Sequence, residues 1–169
     1  MAMNGLAEMP YYALQSAFNV FYPPGLQGYW KGHFVNELSD EAIKVHLNYG
    51  PELPTPLATM HLYPIDGAVH DVGQNDTAWS FRNSRWSCVI AAYHEDPKHN
   101  EHMSKWVKDY WKALRPYSAE AGYLNFDQEF GEDSIQKNYG SNYDRLRKIK
   151  AKYDPENFFH MNHNIKPGA

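Results

Sequence analysis

At 169 residues, 43% of them apolar and 15% aromatic, the chain is long enough for one domain with a core of its own. Its 16 basic and 20 acidic residues leave a formal charge of −4, which argues against a polyanion partner, and no apolar run is long enough to span a membrane. The excess lies in amphipathic rings, 13 Tyr and 5 Trp, which suit ligand pockets and interfaces as well as sheet cores.

Residues 1–9 read as a disordered lead. "YYALQSAFNVFY" after Pro10 fits a short helix or a strand, and Pro23-Pro24-Gly25 ends it either way. "GYWKGHFVNEL" (28–38) alternates, with Trp30 and Phe34 on one side and Lys31 and His33 on the other, as in a half-buried strand. Ser39 then caps a helix that carries Ile43 and Leu47 at helical spacing and stops at Gly50. Strands are predicted over 57–65, 68–72, 77–81 and, most strongly, 85–95. The stretch 96–116 is an amphipathic helix with Met103, Trp106, Val107, Tyr110 and Leu114 on one stripe. A further strand is expected at 122–127, then helices over 132–139 and 142–153, the last with Leu146, Ile149 and Tyr153 inward. Short strands with helices between and after them indicate α+β architecture: an antiparallel sheet covered by helices on one face and open on the other.

Familiar chemistry is scarce. His94, His99 and His102 match no strong metal motif and read as surface histidines, so no metal is expected. Cys88, the sole cysteine, lies in an apolar run and reads as an inert buried thiol. No nucleophile elbow and no glycine-rich phosphate loop occurs, and with no signal-peptide pattern at the start a cytoplasmic location is expected.

One long stretch is informative. Residues 121–167, "AGYLNFDQEFGEDSIQKNYGSNYDRLRKIKAKYDPENFFHMNHNIKP", closely resemble the C-terminal segment of the berberine bridge enzyme-like family of FAD-linked oxidoreductases. That family carries a Tyr-x-Asn-Tyr element, a Gly-Glu-Asp turn, a Tyr-Gly-x-Asn-Tyr-x-Arg-Leu helix start, a Lys-x-x-Tyr-Asp-Pro-x-Asn-x-Phe link and a final Asn-x-Asn-Ile. Here these fall at 123–126, 131–133, 139–146, 150–158 and 162–165. The upstream blocks "YWKGHF", "LSDEAI" and "TAWSFR" are similar to bacterial members.

The resemblance implies a substrate-side domain over 10–153 and a tail over 154–169 that in the family returns to a separate FAD-binding domain. It implies FAD as cofactor, held mainly by that domain, with Tyr123, Asn125, Asn162 and Asn164 on the cofactor side. Phe126, Ser87, Val89 and Tyr93 would line a small-molecule substrate site. Phe126 stands where the family motif has Tyr, and Val89 occupies a position used by plant members for proton transfer, so no catalytic base is assigned. The expected partner is an FAD-binding domain or a second copy, and the chain alone is not expected to be competent. The alternative is a stand-alone small-ligand module or homodimeric interaction domain descended from that family. On the first reading Phe158 and Phe159 would anchor the tail, and Asn125, Asn162 and Asn164 would converge on one polar edge.

Overall fold

The computed structural model describes residues 8–119, 121–128 and 131–168; most of the expected disordered lead therefore lies outside the described residues. Three antiparallel strands, β1 (Gln27–Val35), β2 (Thr59–Pro64) and β3 (Trp86–His94), form a sheet in the order β1-β3-β2. The apolar run "CVIAA" explains why β3 is central, since only a strand buried on both faces can afford it.

Register then sorts the side chains. Ile90 pairs with Lys31 and Met60, and Cys88 with His33 and Leu62, so these share the face that meets the helices. The described residues form five helices: α1 (Tyr11–Ser16), α2 (Asp40–Tyr49), α3 (Asn100–Leu114), α4 (Glu132–Tyr139) and α5 (Tyr143–Tyr153). The predicted stripe of α3 is buried throughout and packs on Cys88, Ile90 and Ala92. The Ser39 cap is present, its Oγ accepting from Ala42 N at 3.2 Å, and α2 leans on α3 through Tyr49, stacked on Tyr110 at 4.6 Å, and His46 Nδ1, 2.6 Å from Tyr110 Oη. Cys88 is buried, and burial pushes its thiol up to about 12, so it is inert as expected.

Three expected strands are absent. Residues 68–72 begin in a 3-10 turn, Gly67–Val69, entered through Gly67 at φ +62°, a conformation that breaks an extended run. Residues 77–81 cross the sheet instead of pairing with it, so Trp79 and Phe81 both land on Phe34, at 5.9 and 5.0 Å. Residues 122–127 hold a 3-10 turn, Leu124–Phe126, for a reason given below.

Two apolar stripes face outward. Ile43 and Leu47 on α2 are exposed because Ala42, Val45 and Tyr49 supply the inner contacts. On α5 only Tyr143 is buried, while Ile149 is 42% and Tyr153 75% exposed, so the inward face expected of Leu146, Ile149 and Tyr153 is corrected. Among the described residues no helix is long and apolar enough to cross a membrane.

Candidate active site on the open sheet face

The strand register turns Trp30 and Phe34 of β1, Thr59, His61 and Tyr63 of β2, and Ser87, Val89, Ala91 and Tyr93 of β3 away from the helices. One end of this face is sealed. Phe34, 1% exposed, lies under Trp79 and Phe81, and the Arg82 guanidinium sits 4.7 Å over the Trp79 ring.

The other end is a groove of about 610 Å3. Val89 and Ala91 form its floor, Trp30 and Tyr93 one side, and His61 and Tyr63 the other. The segment after α1 adds Phe18 and Tyr22 as an outer wall, with Tyr22 edge-on to Tyr93 at 5.1 Å. A second hollow of about 460 Å3 lies beside it, lined by Ser87, Trp79, Ile65, Val69 and Tyr123. Tyr63 and Phe126, stacked at 5.7 Å, line both hollows and separate them.

Phe126 arrives over the sheet because two glycines let one backbone cross another. Ala119 N donates to Phe34 O at 2.8 Å and Phe34 N to Ala121 O at 2.9 Å, so the chain first runs along the β1 edge. It then steps over Gly32: a Cβ on Gly122 would meet Gly32 O at 2.5 Å, and a Cβ on Gly32 would meet Phe126 Cβ at 2.9 Å. Such contact forbids a regular strand at 122–127. Asn138, buried on α4, fastens the crossing by accepting from Gly122 N at 2.9 Å and donating to Ser134 O at 2.8 Å.

Among the described residues no Asp, Glu, Lys or Arg lines the groove. Partial burial lowers the pKa of His61, which keeps its imidazole neutral at pH 7. Burial first, then Tyr22 and Tyr63, raises the pKa of Tyr93, so its phenol stays protonated. Thr59 Oγ1, Ser87 Oγ and Trp79 Nε1 are buried without a hydrogen-bond partner among the described residues.

The tail is ordered by α5. Asp154 accepts from Phe158 N at 2.7 Å and Phe159 N at 3.0 Å, and Lys150 bonds both Asp154 and, at 2.6 Å, Phe159 O. Asn157 completes this turn at φ +53°, which asparagine tolerates. Farther on, Gly168 N donates to Arg147 O at 3.3 Å and Lys166 pairs with Glu132 at 2.7 Å. Phe158 and Phe159 are each 76% exposed, so hydrogen bonds and not these rings hold the tail, which corrects their expected role as anchors.

Of the residues singled out in the sequence, Val89, Tyr93, Asn125 and Phe126 meet in the groove. Ser87 and Tyr123 meet in the second hollow, joined to the groove by Phe126 and by the bond from Asn125 Nδ2 to Tyr123 Oη at 2.9 Å. Asn162 and Asn164 line neither hollow. The His94 and His99 rings lie 3.9 Å apart and tilted by 37°, with His94 Nδ1 accepting from Asp96 N. Sequence reasoning missed His61 and Thr59, whose outward alternation on β2 was available, and the Phe18 and Tyr22 wall, for which no sequence signal of contact existed.

Comparison with known proteins matches residues 122–166 to the family described as Berberine and berberine like. An FAD-linked oxidoreductase of Dictyostelium discoideum is 30% identical over 167 residues, covering 98% of this chain and 36% of that protein. Among solved structures, a berberine bridge enzyme variant titled a reticuline dehydrogenase superposes with a TM-score of 0.76 at 20% identity, covering 85% of this chain and 34% of its own. Wild-type Phl p 4.0202, described as a glucose dehydrogenase, superposes with a TM-score of 0.73 at 18% identity, over 84% of this chain and 33% of its own. The chain thus spans about a third of the length of these relatives. Motif, fold and relatives agree: residues 122–166 match the family described as Berberine and berberine like, and nearly the whole chain is similar to about a third of an FAD-linked oxidoreductase.

Proposed function

We propose that this chain is the substrate-side half of a flavin enzyme, completed by an FAD-binding domain in the same polypeptide or in another. One observation carries the reading: ordered apolar surface is left bare on the sheet face and on the tail. Phe158 and Phe159 are held out to solvent on a hydrogen-bonded turn, and Tyr153, Ile149 and Met161 are exposed nearby in the chain. Rings displayed on a fixed turn are surface built to be covered. Relatives about three times as long as the match support an FAD-binding domain as the cover.

The residues present fit the flat part of such an assembly and not its diphosphate. Among the described residues the groove offers no cation for phosphate, which supports leaving the ADP portion of FAD to the other domain. Tyr123 and Asn125 on the crossing turn, and Asn162 and Asn164 on the tail, would address the ring system or its domain. Asn164 Oδ1, buried without a partner among the described residues, is an acceptor to spare. FAD, when bound, accepts a hydride from the substrate. This chain's part is to bind the substrate, exclude water and dispose of its proton. Val89 and Phe126 take no proton, but His61 lies opposite Val89, and its neutral imidazole can accept one.

The isolated chain is expected to be colourless and, after incubation with FAD and dialysis, to retain far less than one equivalent by absorbance. Stoichiometric retained flavin would contradict the division of labour. A tight dimer in sedimentation velocity that persists beside an FAD-binding domain would favour the stand-alone interaction module instead.

A further inference from the structure

One wall of the groove is built unlike the rest. The floor and both sides stand on paired strands, and Phe126 stands on a crossing turn fastened through Asn138. The outer wall, from which Gln15, Phe18 and Tyr22 reach the groove, belongs to residues 10–24. Apart from the half-buried Ala13, every residue of that segment is exposed. Its backbone bonds are internal, running from Ala13 and Leu14 to Pro10, from Ala17 to Leu14, from Phe21 to Phe18 and from Tyr22 to Asn19. Its side-chain bonds, Gln15 to Tyr11 and Ser16 to Tyr12, are internal too. Among the described residues no hydrogen bond ties it to the sheet. No charged side chain occurs between Glu8 and Lys31, so its own side chains can form no ion pair.

Little then holds this wall shut. The α1 helix, six residues long with none buried, is too short to persist on its own. A segment whose backbone bonds face solvent and whose contacts are few opens more readily than a packed strand. The ring contact that meets the sheet among the described residues is Tyr22, edge-on to Tyr93 at 5.1 Å. The chain also has a pivot. Pro23 and Pro24 have their φ fixed by the ring, and Gly25 follows at φ +98°, where a Cβ would meet nothing within 4 Å. Rotation is therefore concentrated at Gly25, just before β1 begins at Gln27.

We propose that residues 10–24 are a strap that gates the groove, swinging as a unit about Gly25 and latched by the Tyr22 ring on Tyr93. A groove covered by a flavin domain would admit its ligand through this wall, so the purpose of the strap rests on the function proposed above. Its motion does not, and its test needs no flavin. Amide hydrogen exchange of the wild-type chain reads the opening directly. The amides of Ala13, Leu14, Ala17, Phe21 and Tyr22 should exchange at least about a hundredfold faster than those of β3. Access to the groove is read by placing a thiol on its floor, Ala91→Cys, and labelling with fluorescein maleimide; Cys88, 1% exposed, makes the wild type the blank. Adding Tyr22→Ala should speed labelling about fivefold with β3 exchange unchanged. Tyr22→Phe keeps the ring and should restore the slower rate, and Tyr12→Ala, whose ring is 75% exposed, should not alter it.

Strap amides as protected as those of β3 would overturn the proposal. So would labelling indifferent to Tyr22→Ala, or faster labelling that comes with loss of β3 protection, which is general loosening and not a gate. The wild-type exchange map decides the matter even if Ala91→Cys does not fold. An opening strap on a chain that associates with no flavin domain would remove the proposed function and leave this inference; a fixed strap on a chain that does associate would do the reverse.

Discussion

Gly122→Val is expected to destabilise the domain by about 3 kcal/mol and to empty the sheet face of Phe126. The new side chain would enter backbone, not a movable side chain: its Cβ alone would come within 2.5 Å of Gly32 O and 3.0 Å of His33 Cα. Relief requires lifting the crossing turn off β1, which breaks the bond from Gly122 N to Asn138 and leaves a buried amide oxygen unpaired. Phe126 then loses its place against Tyr63, and the partition between the two hollows goes with it. Urea unfolding measures the first effect, and the ring-current shifts of Tyr63 the second. Gly131→Ala, where a Cβ meets nothing within 4 Å, is the control and should leave both unchanged.

Acid should weaken the fold through His33. This side chain is 1% exposed on the helix side of β1, and both ring nitrogens lack a hydrogen-bond partner among the described residues. Burial, then the charge of Arg115 and then His46, holds its pKa down at about 3, against an ordinary 6.5. Below pH 6.5 the unfolded chain binds a proton on this imidazole and the native chain does not. Its contribution is therefore complete above that pH and is lost progressively as pH falls toward 3. By about pH 5 the loss amounts to about 2 kcal/mol. His33→Leu should flatten the wild-type decline in unfolding free energy between about pH 7 and about pH 5 by that amount. Parallel profiles for the two proteins would show that His33 binds its proton in the folded state as well.

Where one rule dominated locally, the fold was legible. β3 is a continuous apolar run, α3 a clean stripe, and α4 lies at its expected bounds, because burial, periodicity and helix signals agree there. Two of the misread strands share a physical cause. Alternating aromatic residues at 77–81 and 122–127 promise a strand, but they say only that rings must meet the sheet, not that the backbone must pair with it. Gly122 carried the better signal, since a glycine in a strand pattern often marks a close backbone approach.

The outward stripes teach the complementary lesson. Leu146, Ile149 and Tyr153 have the spacing of a buried face, and Phe158 and Phe159 the character of an anchor. Periodicity shows which surface is apolar and is silent on whether its cover lies in the same domain. Likewise the motif led to Asn125 and Phe126, which do meet Val89 and Tyr93 in the groove. Alternation along β2 could have placed His61 on the outward face, but its position opposite Val89 on the neighbouring strand is a relation only the register supplies.

Complementation tests the central claim most directly. The FAD-loaded remainder of the Dictyostelium relative, lacking the aligned segment, is titrated with this chain while visible circular dichroism of the flavin is recorded. The expected result is a one-to-one saturable change in the flavin signal. Phe158→Ser with Phe159→Ser should weaken it by about 2 kcal/mol or more, while the isolated chain's melting temperature stays unchanged, since both rings are exposed. A flavin spectrum indifferent to the chain, or a double variant that docks as well as the wild type, would contradict the account.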